Sequence, residues 1–154
     1  MPDQLTLNSA SLVETLAETL ESMAFVSLMP AEPPYNIPAD AVRIRIGFRG
    51  PSRGVVEMIA PRDLGRLLVA NISCDEAPET CSVTQADDAL KEIINIVSGA
   101  LLRQHGTSEN YDISLPTASP LVADSEWVEF VGSSDVTVVD AEGASVAVRI
   151  DVVA

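Results

Sequence analysis

Two polar side chains one helical turn apart, Glu92 and Asn95, carry the chemical interest of this sequence. They lie in the run Ala89-Leu90-Lys91-Glu92-Ile93-Ile94-Asn95-Ile96-Val97-Ser98-Gly99-Ala100-Leu101-Leu102. A carboxylate can hold a Lys or Arg of a partner. A carboxamide can donate to one oxygen and accept from a water, and so orient that water for attack on phosphorus without being a base. Phosphoryl hydrolysis needs mainly such positioning and electrostatic stabilisation, and metal and charge can come from another protein. Asn is a poor interior helix residue, and Gly99, one turn further on, costs about 1 kcal/mol against Ala. This face was not shaped for helix stability alone.

The element that must position these groups is an amphipathic helix. At about 100° per residue, with Asn95 at zero, Asp88 lies about 20° away, Gly99 about 40°, Lys91 about −40° and Glu92 about 60°. Ile93, Val97, Leu90, Ala89, Ala100 and Leu101 cluster opposite, and Leu102 is an apolar exception at the foot of the polar strip. Residues three or four apart on such a face sit about 5–6 Å apart at Cβ. Gly99 removes a side chain beside Asn95, so a partner surface could come close. Spacing alone leaves a second reading open, in which Asp88, Lys91, Glu92, Asn95 and Ser98 are simply a solvated face.

Other chemistry has little material. The sole histidine, His105, stands at the end of the same helix, where the last carbonyls favour it. A Ser-His-Asp triad or a multi-histidine metal site is therefore unsupported, and no nucleotide-binding, zinc-protease or hydrolase-elbow motif occurs. No metal ligands are assigned. The 9 basic and 23 acidic residues give a formal charge of −14, which disfavours nucleic acid and anionic membrane as partners. No apolar run approaches the roughly 20 residues of a membrane span, and Met1-Pro2-Asp3-Gln4 does not begin a signal peptide. The protein is expected in the cytoplasm, with Cys74 and Cys81 as free thiols.

The 154 residues, 47% of them hydrophobic, are expected to form one domain, 1–154. Asn8 or Ser9 caps a first helix to about Val26, with Leu12, Val13, Leu16, Leu20, Met23 and Ala24 on its apolar side. Pro30, Pro33, Pro34 and Pro38 then give a loop or edge segment. Val42, Ile44, Ile46 and Phe48 alternate with polar residues as a half-buried strand, and a turn leads to a second, Val55 to Ala60. Pro61 opens a short helix to about Ile72, and an acidic loop follows from Ser73 to Val83. Thr84 and Asp87 resemble a capping box for the helix bearing Asn95, which ends near Arg103 with Gly106 as its stop. The remainder reads as strand-rich: Tyr111 to Leu115, a Pro116/Pro120 segment, Trp127 to Gly132, Val136 to Asp140 and Ala144 to Val153. The last two are joined by a hairpin at Asp140-Ala141-Glu142-Gly143. Trp127 and Phe130 could equally face a second copy of the chain or be ordinary core.

This order predicts an α+β fold: an antiparallel sheet with amphipathic helices packed on one face. Within it, Leu12-Val13-Glu14-Thr15-Leu16-Ala17 aligns with Leu90-Lys91-Glu92-Ile93-Ile94-Asn95, a weak echo that hints at a pseudo-duplicated unit. Ala17 stands where Asn95 stands.

The run Asp88-x-x-x-Glu92-Ile93-Ile94-Asn95-Ile96-Val97-Ser98-Gly99 resembles the signature helix of the CheC/CheX/FliY group of chemotaxis phosphatases, most of all CheX. Met23 near the end of the first helix, Gly54 between two strands, Pro61 opening a helix and the segment Leu115-Pro116 to Leu121 extend the likeness along most of the chain. The resemblance implies a CheC/CheX-like fold and hydrolysis of the aspartyl phosphate of a CheY-like response-regulator receiver domain. In these terms Asn95 positions the water and Glu92 contacts the receiver lysine, while Asp88, Lys91 and Gly99 meet the partner. The chain itself binds no cofactor, and Mg²⁺ is supplied by the receiver. One site per chain, with Ala17 in place of a first Asn, is the CheX-like arrangement and implies a homodimer. A separate C-terminal motor-binding domain is not expected, which disfavours the FliY and FliM relatives. The competing expectations are a catalytically silent module that binds a receiver or another chemotaxis protein, and a structural dimer whose polar helix face has no role.

Overall fold

A computed structural model describes residues 7–73, 80–105 and 111–153. The elements run α1 (Ser9–Ala24), β1 (Leu28–Pro30), β2 (Ala41–Arg49), β3 (Arg53–Pro61), α2 (Arg62–Ser73), α3 (Val83–Gln104), β4 (Asp112–Ile113), β5 (Thr117–Pro120), α4 (Asp124–Val131), β6 (Val136–Ala141) and β7 (Ala144–Val153). All strands join one antiparallel sheet in the order β1-β6-β7-β3-β2-β4, with β5 also on the outer edge of β2. The expected fold class holds, including both long central strands and the hairpin turn at Glu142-Gly143.

Period-two alternation sorts the sheet into two faces. Val42, Ile44, Ile46 and Phe48 of β2, Val56, Met58 and Ala60 of β3, and Val146, Val148 and Ile150 of β7 face one way. They form a single core with Leu12, Leu16 and Leu20 of α1, Leu64 and Leu68 of α2, and Leu90, Ile94, Val97 and Leu101 of α3. The alternate positions face the other way, and there Ala41, Ile59, Val138 and Ala147 pack with Trp127 and Phe130 of α4. Glu57 lies on this second face, buried, and pairs with Arg43, Arg45 and Arg149. The guanidinium groups of Arg43 and Arg149 lie 5.1 and 5.0 Å from the centre of the Phe130 ring, so the aromatic ring roofs the charged cluster.

Several expectations are corrected here. Trp127 to Gly132 is not a strand but the greater part of α4, whose Trp127 and Phe130 are three residues apart on one buried helix face. The Glu126 carboxylate accepts from the backbone N–H groups of Val122 and Ala123, which closes the helix start. Both aromatic rings are buried in the chain's own core. The segment around Pro116 and Pro120 supplies strand β5, whereas Tyr111 to Leu115 contains only the two-residue β4. Helix α3 starts two residues before the expected cap: the Ser82 hydroxyl accepts from the Gln85 N–H at 3.1 Å, and the Gln85 side chain returns to the Ser82 N–H at 2.9 Å. Asp87 is engaged elsewhere, with Arg62. His105 is the C-cap of α3, as its position suggested. Cys81 is a buried free thiol. Cys74, the helix stop expected at Gly106 and the middle of the acidic loop lie outside the described residues.

Candidate functional site on helix α3

Two contacts fix the start of α3 against α2. At Gly65 a side chain would collide with the Ala86 carbonyl, so only a glycine allows the two backbones to meet this closely. Arg62, at the head of α2, donates from Nε to Asp87 at 2.9 Å and from Nη1 to Asp40 at 2.7 Å. The Asp87 bond, opposed by burial and helped by Asp40, raises the Arg62 pKa above its ordinary value, so the cation persists at any working pH. Downstream, the apolar stripe from Leu90 to Leu101 seats the helix on the sheet, and Glu92 and Asn95 stand on the far side.

Glu92 and Asn95 are both exposed. Among the described residues, neither side chain has a hydrogen bond or ion pair to spend on the fold. Asp88 and Lys91 are different, because Lys91 Nζ lies 3.2 Å from Asp88 Oδ1 along the helix. Those two neutralise one another beside the site. Gly99 is half-buried, and a Cβ there would lie 3.4 Å from Arg103 Nη1 and 4.0 Å from Ile113 Cδ1. All five residues singled out in the sequence therefore share one side of α3.

The strip is narrower than helical periodicity implies. Ser98 and Leu102 are 1% and 2% exposed and belong to the interior. The chain beyond α3 returns along the outer edge of β2, where Tyr111 packs against the core that contains Leu102. The open part of the face is thus centred on Glu92 and Asn95. Arg103, exposed and leaning back over Gly99, was not singled out from sequence. Its spacing of four residues from Gly99 was the available signal.

A model of the family described as chemotaxis phosphatase CheX matches residues 42–121, from β2 through β5 and including all of α2 and α3. The chain belongs to the CheX family. Membership accounts for the unit formed by two central strands, the short helix and the long helix bearing Glu92 and Asn95. Solved structures extend the likeness in fold to the whole chain. A chemotaxis protein CheX from Vibrio vulnificus is similar at a TM-score of 0.70 with 19% identity, covering 94% of this chain and 95% of that one. A CheX from Desulfovibrio desulfuricans gives 0.65 with 16% identity, covering 94% and 98%. The CheX–CheY–BeF₃–Mg²⁺ complex from Borrelia burgdorferi gives 0.57 with 11% identity, covering 93% and 96%. No curated protein sequence matches the chain significantly. Among the described residues, no helix is long and apolar enough to cross a membrane.

Proposed function

We propose that this chain is a cytoplasmic phosphatase that hydrolyses the aspartyl phosphate of a CheY-like receiver domain, with Asn95 positioning the water and Glu92 binding the receiver lysine. The observation that carries this reading is the pair itself. Two exposed side chains with unused hydrogen-bonding capacity stand one turn apart on a rigidly seated helix. The family's description as a chemotaxis phosphatase supports it, as does the similar fold of a CheX solved with CheY.

The chemistry asks little of the chain. The Asn95 carbonyl oxygen accepts from a water and holds a lone pair of that water toward phosphorus, while the amide N–H donates to a phosphoryl oxygen. Attack forms the new P–O bond as the bond from phosphorus to the aspartyl oxygen breaks, which releases inorganic phosphate and the free carboxylate. Asn95 takes no proton, so its contribution is orientation. Glu92 forms a charge-assisted pair with the receiver lysine and fixes the helix relative to the phosphate. Mg²⁺ in this reading is the receiver's own.

The test is phosphate release from a CheY-like receiver charged with acetyl phosphate in Mg²⁺. Wild type should hasten decay and Asn95→Ala should not, while both should bind the receiver charged with BeF₃⁻. Full activity in both Asn95→Ala and Glu92→Ala would overturn the assignment. Binding without faster decay in the wild type would make the chain a silent receiver-binding module. Pairing into a homodimer belongs to the same reading, and sedimentation at micromolar concentration checks it.

A further inference from the structure

Helix α3 carries two cations, Lys91 and Arg103. Lys91 is held by Asp88, whereas no carboxylate among the described residues lies within ion-pair distance of Arg103. A long helical side chain leans toward the N-terminus and meets the residue one turn before it. For Arg103 that residue is Gly99, and a Cβ at Gly99 would stand 3.4 Å from Arg103 Nη1, at the short end of van der Waals contact. The guanidinium thus lies back along the helix over Gly99. Ile113 Cδ1, 4.0 Å from the same Cβ position, flanks that seat with an apolar group. The one unpaired cation of α3 is thereby brought to within about one turn, roughly 5.4 Å along the axis, of Asn95.

We infer that Arg103 is the docking cation of this site, binding an anionic oxygen of the phosphorylated partner beside the phosphoryl group that Asn95 addresses. The inference rests on the receiver-phosphatase reading and adds to it a residue and a role. A site built of an acyl phosphate and the carboxylates that hold its Mg²⁺ is rich in anionic oxygen. The chain that must approach it has a formal charge of −14. Long-range repulsion opposes that encounter, so local cations have to reverse it at contact. A guanidinium suits the task because its planar fork matches the paired oxygens of phosphate or carboxylate. One turn away from Asn95, it meets oxygens flanking the phosphorus and leaves the attacking water to the amide. The role is binding, and it predicts a change in KM with little change in kcat.

The experiment measures affinity for a CheY-like receiver charged with BeF₃⁻ and Mg²⁺, and steady-state phosphate release, across a range of ionic strength. Arg103→Ala should weaken binding and raise KM by about tenfold at low salt, keep kcat within about twofold, and flatten the salt dependence. Arg103→Lys should recover part of the affinity, because it restores the charge without the fork. Gly99→Ala should weaken binding by about threefold while raising the melting temperature, since alanine is the better helix former. Unchanged affinity and salt dependence in Arg103→Ala, with activity still lost in Asn95→Ala, would overturn this inference and leave the phosphatase reading standing. A fall in kcat at unchanged affinity would overturn the docking role as well. Full activity in Asn95→Ala would remove the reading and the inference together.

Discussion

Helices α1 and α3 are built alike and lie on the same face of the same sheet, yet only one of them exposes an amide beside its glutamate. Each begins with a reciprocal capping box, Asn8 with Ser11 in α1 and Ser82 with Gln85 in α3. Each contributes a stripe of buried leucines or isoleucines to the common core. Each carries an exposed glutamate, Glu14 or Glu92, on its outer side. They part three residues later. Asn95 is exposed, whereas Ala17 is half-buried and lines an apolar cleft of about 350 Å³ with Val13, Leu28, Met29, Tyr35 and Val138. A helix, a cap and a carboxylate are therefore common to both. The amide and the open ground around it belong to α3 alone.

The comparison can be broken most decisively at that amide. Asn95→Ala makes position 95 match position 17, and phosphate release from a charged receiver should fall about a hundredfold or more, as for loss of one oriented polar group at a reacting centre. Melting temperature should be unchanged or slightly higher. Next is the seat of α3 on α2: Gly65→Ala drives a methyl group into the Ala86 carbonyl. It should destabilise the protein by about 2 kcal/mol in urea denaturation, in line with overpacked cores. Glu92→Gln should cost about tenfold in kcat/KM, mostly through KM, because a charge-assisted pair becomes a neutral one. Glu14→Gln, its counterpart on α1, should change kinetics by less than about twofold, within the range of a surface polar substitution. The smallest effect is expected from the converse graft. Ala17→Asn places an amide beside Glu14 but leaves it facing the apolar cleft, so it should add no second activity. A twofold gain in turnover per chain would show that the amide alone suffices and that its surroundings do not matter.

Much of this comparison was legible in the sequence. The period of 3.6 in α3, the alternation in β2 and β3 and the absence of an amide at position 17 are all local patterns. So was the pairing of Glu92 with Asn95 on one face. What escaped depends on contacts distant in the chain. Ser98 and Leu102 fall on the polar side of an isolated helix, yet both are buried once the helix packs into the folded chain. Asp87 looks like a capping residue until Arg62, 25 positions earlier, is seen to hold it. Ser82 and Gln85 were the better local match, since glutamine is a usual third residue of the box. Helix α4 is only eight residues long, too short for its period to stand out from the alternation of Trp127, Val128, Glu129 and Phe130. Its one local signal was acidic: Asp124 and Glu126 both fall in its first turn.

The anchoring of α3 by Arg62 and Gly65 has a dynamic consequence. A helix tied at its start to α2 by two contacts and packed along one side has no inexpensive way to open by itself. Amide protons in its middle turns, from Ile93 to Val97, should exchange with deuterium only when the whole molecule unfolds, and at the rate set by global stability. Docking of a partner on Glu92 and Asn95 should then slow that exchange only by the factor with which binding stabilises the whole molecule. The exposed face of α3 is expected to have the same shape with and without a partner.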